Sequence, residues 1–219
     1  MIPTELTILA SEFVTPDTKR FITTKPKNFV FQPGQALLLS IDKPDFEDII
    51  RPYSITSLNN VDYLEFIIKS YPTGGFTQLV TSLNAGDKFI VHGEASGIKF
   101  RGPGIFIAAG SGITAFIAIL RALYASKNMR NVGLLYSVQT PEDVILGAEF
   151  KAMFGDNFIP VFTKHKVIGF GEKRIDKKYL VDAIGSFDQL FYIAGPTSFV
   201  QDISSYLIEL GADSEHIII

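Results

Sequence analysis

The sequence predicts two domains: an N-terminal antiparallel six-stranded β-barrel with one short helix, followed by a C-terminal α/β domain on a parallel sheet. Three observations lead there. Up to about residue 100, apolar and polar residues alternate with period two in short runs separated by turn signals. After residue 103, continuous apolar runs alternate with helix-period segments, the pattern of a parallel sheet covered on both faces. Between them lies KFRGPG, residues 99–104, which places the boundary between domains 1–101 and 102–219.

In the first half, ELTILASEFV, RFITTKP, QALLLSID, YSITSL, YLEFIIKSY and KFIVHGEA read as strands. Pro33-Gly34, Asn59-Asn60, Gly74-Gly75 and Ala85-Gly86-Asp87 supply the turns. FTQLVTSL, residues 76–83, reads as the short helix. In the second half, IFIAA, VGLLYSV, FIPVFT, QLFYIAG and HIII read as strands. SGITAFIAILRALYASK, EFKAMF, KKYLVDAI and TSFVQDISSYLIELG are the helices between them. In the first of these, Phe116, Leu120, Leu123 and Tyr124 recur on one side.

Composition narrows the function. Of 219 residues, 47% are hydrophobic and 20% charged, enough to bury a sizeable core, with nineteen Phe and no Trp as bulky filler. Through Arg101 there are 10 basic and 11 acidic residues (−1), and beyond it 10 and 12 (−2), which sum to the formal charge of −3. So even a balance argues against a nucleic-acid surface or a polybasic membrane patch. The absence of cysteine excludes disulfides, thiolate zinc and iron–sulfur clusters. His92, His165 and His216 are far apart, so no metal site is expected. MIPTELTILA has no basic leader region, and the uncharged segment 104–120 carries Gly110 and Gly112 where a strand turns into a helix. A soluble, cytoplasmic protein without a transmembrane segment is expected.

RPYS, residues 51–54, combines features that a plain strand does not need. Tyr53 and Ile55 fall on one face and Ser54 and Thr56 on the other, while Pro52 favours an edge or bulge. GSGITA, residues 110–115, follows the first strand of the second half and fits the G-x-G-x-x-G/A dinucleotide pattern. There glycines admit a pyrophosphate to the backbone, and the helix N-terminus supplies N–H groups and partial positive charge. A tight turn packing helix on strand is the structural alternative. The second strand ends YSVQ, offering Ser137 and Gln139 where a simple Rossmann dehydrogenase wants an acid. Gly74, Gly75, Phe76 and Thr77 open the short helix as a second anion-binding turn, or merely a turn, with Lys69 nearby. AGPTSF, residues 194–199, places Gly195-Pro196 at the end of a strand, with Thr197 or Ser198 as the N-cap of the next helix.

Together and in order, these segments resemble the ferredoxin–NADP reductase superfamily, particularly its compact flavodoxin/ferredoxin reductase-like members, over nearly the whole chain. R-x-Y-S at Arg51–Ser54 matches the flavin motif, and Gly74, Gly75 and Thr77 match the flavin-pyrophosphate turn. HGEASGIKF looks like the boundary element. Gly110, Gly112, Ile113 and Thr114 match the nicotinamide-nucleotide loop, and Gly195-Pro196 match the C-G-P segment. The resemblance implies a reductase-type Rossmann-like domain beside a flavin barrel. It implies that Arg51 neutralises flavin phosphates, Tyr53 stacks on the isoalloxazine and Ser54 hydrogen-bonds near N5. It implies hydride transfer from NAD(P)H to flavin, then single-electron release to a separate flavodoxin, ferredoxin or other redox protein.

The resemblance favours FAD over FMN. Thr163-Lys164 stand where family members that favour NADPH often place Ser-Arg. With His165, Lys166, Lys173 and Arg174 they form a basic loop, which favours NADPH over NADH. Ala194 replaces the cysteine common in the family, Ala115 replaces a proline, and no aromatic tail follows Ile219. From Ala194 and the short tail comes an alternative: a non-catalytic flavin- or nucleotide-binding module of a larger redox complex.

Overall fold

The computed structural model describes residues 4–73, 75–158, 160–164 and 173–219. They form two compact units, residues 1–100 with 114–122, and residues 101–113 with 123–219.

The first unit is a six-stranded antiparallel sheet of β1 (Glu5–Thr15), β2 (Thr18–Thr24), β3 (Ala36–Ile41), β4 (Arg51–Ser54), β5 (Tyr63–Lys69) and β6 (Lys88–Ala95), with helix α1 (Gly75–Ser82) between β5 and β6. Its order is β4-β3-β6-β1-β2-β5. Among the described residues the sheet curls into a barrel shape that no ladder closes. Past the end of β4, the Thr56 N–H donates to Glu65 O on β5 at 2.9 Å. Alternation places Leu6, Ile8, Phe21, Leu37, Leu39, Phe66 and Phe89 inside. Phe89 is the hub, edge-on to Phe21 at 5.5 Å and to Phe66 at 6.3 Å. Each fully buried phenylalanine contributes about 1.5–3 kcal/mol of transfer free energy.

Two local features depart from plain pairing. Between Leu38↔Gly93 and Leu39↔Val91 the β3–β6 register slips past His92, a bulge that bends β6. β4 is shorter than the predicted YSITSL run and starts earlier, at Arg51. It ends the sheet and pairs only with β3, so Pro52, opposite Leu38, sits on the edge strand where its missing N–H costs least.

The second unit carries a parallel sheet ordered β11-β10-β7-β8-β9. Its strands are β7 (Gly104–Ala109), β8 (Gly133–Val138), β9 (Val161–Phe162), β10 (Leu190–Ala194) and β11 (Ile217–Ile218). In central β7, Phe106, Ile107 and Ala108 are all fully buried, which explains the lack of alternation. The helices are α2 (Thr114–Ala125), α3 (Gly147–Phe154), α4 (Lys177–Ala183) and α5 (Thr197–Glu209). Leu180 and Ile184 at the end of α4, with Ile203 and Leu207 of α5, pack on Ile107, Phe191 and Ile193.

Three predicted boundaries move. β9 keeps only Val161–Phe162 of FIPVFT, with Pro160 just before it, and Ile159 lies outside the described residues. α2 is preceded by a 3-10 turn over Gly110–Ile113 in place of an α-helix from Ser111. α5 has Pro196, not Thr197 or Ser198, at its N-cap, and no side chain caps it; the Pro196 carbonyl accepts from Val200 N–H at 3.0 Å. Among the described residues no helix is long and apolar enough to cross a membrane.

Candidate functional site

In the first unit the site begins with β4. Tyr53 lies half-buried against the apolar core, its ring stacked on that of Phe76 at 6.1 Å and 13°. Burial pushes the Tyr53 hydroxyl well above its ordinary pKa; nearby Arg51 opposes this and Tyr71 adds to it. The hydroxyl is therefore a neutral donor throughout the physiological range. Arg51 is exposed and donates from Nη1 to the adjacent Ile50 carbonyl at 2.9 Å, and it has no carboxylate partner among the described residues. Ser54, opposite Ala36, is the last residue of the strand.

α1 brings the second predicted segment. Gly75 is its first residue, and a Cβ there would meet nothing within 4 Å, so the turn has open space beside it. Phe76 is buried and anchors the helix to the core. The Thr77 Oγ1 accepts from Tyr71 N–H at 3.0 Å, fixing the approach to the first turn. Such a turn directs backbone N–H groups outward beyond its end. Gly74 lies outside the described residues. Lys69, the last residue of β5, has its Nζ 2.6 Å from Oδ2 of Asp17, in the turn just before β2.

An exposed guanidinium with no carboxylate partner among the described residues, a flat aromatic face with a neutral hydroxyl, and an open glycine turn at a helix start fit a flavin bearing phosphates. Among the described residues no group of His, Asp and Glu is arranged to hold a metal.

In the second unit the parallel register aligns strand ends: Ala108↔Ala194, Ala109↔Ser137 and Ser137↔Val161. This brings Gly110, Gly112, Ser137, Thr163, Lys164, Gly195 and Pro196 to one sheet edge, the carboxyl edge where open α/β sheets bind ligands. Gly110 has φ +53° with open space beside it, the conformation and clearance of a ligand-facing turn. Gly112 is required for another reason. A Cβ there would come within 2.5 Å of the Ala194 carbonyl and 2.6 Å of Gly195 N, so this glycine locks the loop onto the AGP turn.

Ile113 is fully buried, and it ends the 3-10 turn at this edge. Thr114 starts α2 and groups with the first unit. Ser137 is nearly buried on β8. Thr163 N–H donates to Val138 O at 2.9 Å, and exposed Lys164 donates from Nζ to Gln139 Oε1 at 3.0 Å. Lys173 and Arg174 are exposed, while His165 and Lys166 lie outside the described residues.

Sequence reasoning missed a buried network behind β4. Glu65 is 3% exposed on β5, and Arg121 of α2 donates to its Oε1 at 2.5 Å. The signal was present: a carboxylate within the apolar run YLEFII, whose Leu64 and Phe66 are both fully buried, demands a cation.

The oxidoreductase FAD-binding domain family matches residues 5–100, and the oxidoreductase NAD-binding domain family matches residues 106–205. An NADH-cytochrome b5 reductase 2 of Mycosarcoma maydis is 27% identical over 77% of the chain and 53% of its own length. A glycine betaine monooxygenase reductase subunit of Chromohalobacter salexigens is 24% identical over 90% of the chain and 57% of its own length. The chain thus spans a little over half of either relative. The solved structure of a ferredoxin NADP+ reductase from Neisseria gonorrhoeae with bound FAD and NADP superposes with a TM-score of 0.80 at 25% identity, covering 95% of this chain and 91% of that one.

Proposed function

Because the chain belongs to the ferredoxin–NADP reductase superfamily, as an oxidoreductase module for FAD and a pyridine nucleotide, we propose that it draws a hydride from NAD(P)H and delivers the electrons singly to a separate redox protein. The observation that carries this reading is the β4 constellation: Arg51 exposed without a carboxylate partner among the described residues, and Tyr53 presenting a supported flat ring beside Ser54. FAD, when bound, supplies the conversion between two-electron and one-electron transfer.

The residues divide the remaining work. Arg51 pairs its guanidinium with cofactor phosphate, and the first turn of α1, from Gly75 to Thr77, offers N–H groups to the diphosphate. Tyr53, backed by Phe76, lays its ring on the flavin, and Ser54 donates its hydroxyl to the reacting ring nitrogen. On this reading residues 1–101 hold the flavin. Residues 102–219 hold the nucleotide, through Gly110 to Thr114, the Ser137 strand end, and Gly195-Pro196. Lys164, exposed just past β9 with its Nζ 3.0 Å from Gln139 Oε1, favours the 2′-phosphate of NADPH, whereas the name of the Mycosarcoma relative carries NADH. The acceptor is a flavodoxin, a ferredoxin, or a protein like those in the relatives' names, a cytochrome b5 or a monooxygenase component.

The test is an anaerobic titration of the flavin-loaded protein with NADPH and with NADH, followed by visible absorbance. Rapid bleaching supports the reductase reading, and the faster nucleotide assigns specificity. A flavin band that persists with both favours a non-catalytic binding module of a larger complex, the reading that Ala194 motivates.

A further inference from the structure

We propose that Arg121 is a positioning residue for the flavin-binding strand, acting through buried Glu65 and the carbonyl of Thr56. The inference rests on the flavin role proposed for Arg51 to Ser54.

β4 has a ladder on one side only, to β3, and it ends at Ser54. The chain just beyond it is held by the Ile55 N–H on the Gln35 carbonyl at 3.0 Å and, from Thr56 on, by a set of buried polar contacts. The Thr56 N–H donates to Glu65 O at 2.9 Å, and Thr56 Oγ1 lies 2.7 Å from Glu65 Oε1. Arg121 Nη1 reaches both partners, at 2.8 Å from Thr56 O and 2.5 Å from Glu65 Oε1. Ser57 Oγ accepts the Glu65 N–H at 3.1 Å, and Arg20 stands 3.9 Å from Glu65 Oε2. Thr56 is fully buried, and the side chains of Glu65 and Arg121 are 4% and 16% exposed.

This arrangement is more than stability requires. A buried ion pair contributes little net stability relative to apolar residues of the same shape, whereas it does fix geometry. Here the geometry fixed is that of a carbonyl two residues past Ser54. Arg121 comes from α2, the helix that starts directly after the glycine turn, and its segment 114–122 groups with residues 1–100 in one unit. Ile119, on the same stretch, sits so close to the Pro33-Gly34 turn that a Cβ on Gly34 would fall 2.9 Å from its Cδ1. The helix is therefore seated where Arg121 has a defined reach.

The test uses the full chain stripped of flavin and titrated with FAD, reading the dissociation constant by fluorescence quenching, the visible circular dichroism of the complex and the urea midpoint. Arg121→Met is expected to weaken FAD about tenfold and to change the visible dichroism, with Arg121→Lys restoring part of both. The double variant Glu65→Met/Arg121→Met removes both charges. It is expected to regain the urea midpoint while FAD stays weak and its dichroism altered. It also carries the comparison if Arg121→Met alone fails to fold. Wild-type affinity and dichroism in either Arg121→Met or the double variant overturn the proposal, leaving the network purely structural. A wild-type chain that takes up no FAD removes the flavin reading itself, and that is seen before any variant is compared.

Discussion

Replacing Arg51 with alanine separates binding from folding. The side chain is exposed and donates to the carbonyl of its own neighbour, so its loss changes folding stability by no more than about 0.5 kcal/mol, as for other surface positions. A guanidinium on phosphate makes charge-assisted hydrogen bonds, and losing one costs about 1.5–3 kcal/mol. At 1.4 kcal/mol per tenfold, FAD binding should weaken by about 10- to 150-fold. The assay is fluorescence titration of flavin-free protein with FAD, paired with a urea melt of the same preparation. Arg51→Lys should recover part of the affinity, because an ammonium keeps the charge but loses the fork. An unchanged dissociation constant in Arg51→Ala would remove the phosphate role, however well the protein folds. A large fall in the urea midpoint would contradict the description of Arg51 as a structurally idle cation.

Gly112→Ala forces its methyl against the Ala194 carbonyl and Gly195 N, and such overpacking costs about 1–3 kcal/mol. Nucleotide binding by isothermal calorimetry should weaken while FAD affinity stays unchanged. Lys19, 4% exposed, donates to Thr81 O, Leu83 O and Asn84 Oδ1 at the end of α1; Lys19→Met strands these acceptors and should cost about 2 kcal/mol in a urea melt. For Asp17, burial raises the carboxyl pKa, but the hydrogen bond and charge of Lys69, with help from Thr18 and Thr15, bring it below the ordinary 3.8. A depressed folded-state value means that this stabilisation is present above pH 3.8 and is lost as pH falls through the lower folded value. Asp17→Asn should therefore flatten the acid side of the stability profile and leave neutral-pH FAD binding unaltered.

The architecture was legible in the letters alone, because local patterns govern it. Period-two alternation in residues 5–95 and unbroken apolar strands after residue 104 each permit few ways of burying their side chains. RPYS, the Gly75 turn, GSGITA and Gly195-Pro196 were legible for a related reason: backbone chemistry confines Pro52 to an edge strand and requires glycine where φ is positive or backbones meet. What depends on partners distant in sequence emerged only in the folded chain. Lys69 and Lys164 look alike as exposed cations in a string of letters, yet one is held by Asp17 and the other stands beside Gln139 at a strand end. Gly112 fits a ligand-binding pattern, but its missing Cβ is demanded by the Ala194–Gly195 backbone. Glu65 signalled only that a cation must exist; that the cation is Arg121, 56 residues away, followed from the packing of α2. A buried charge states its need locally, and only the folded chain supplies the answer.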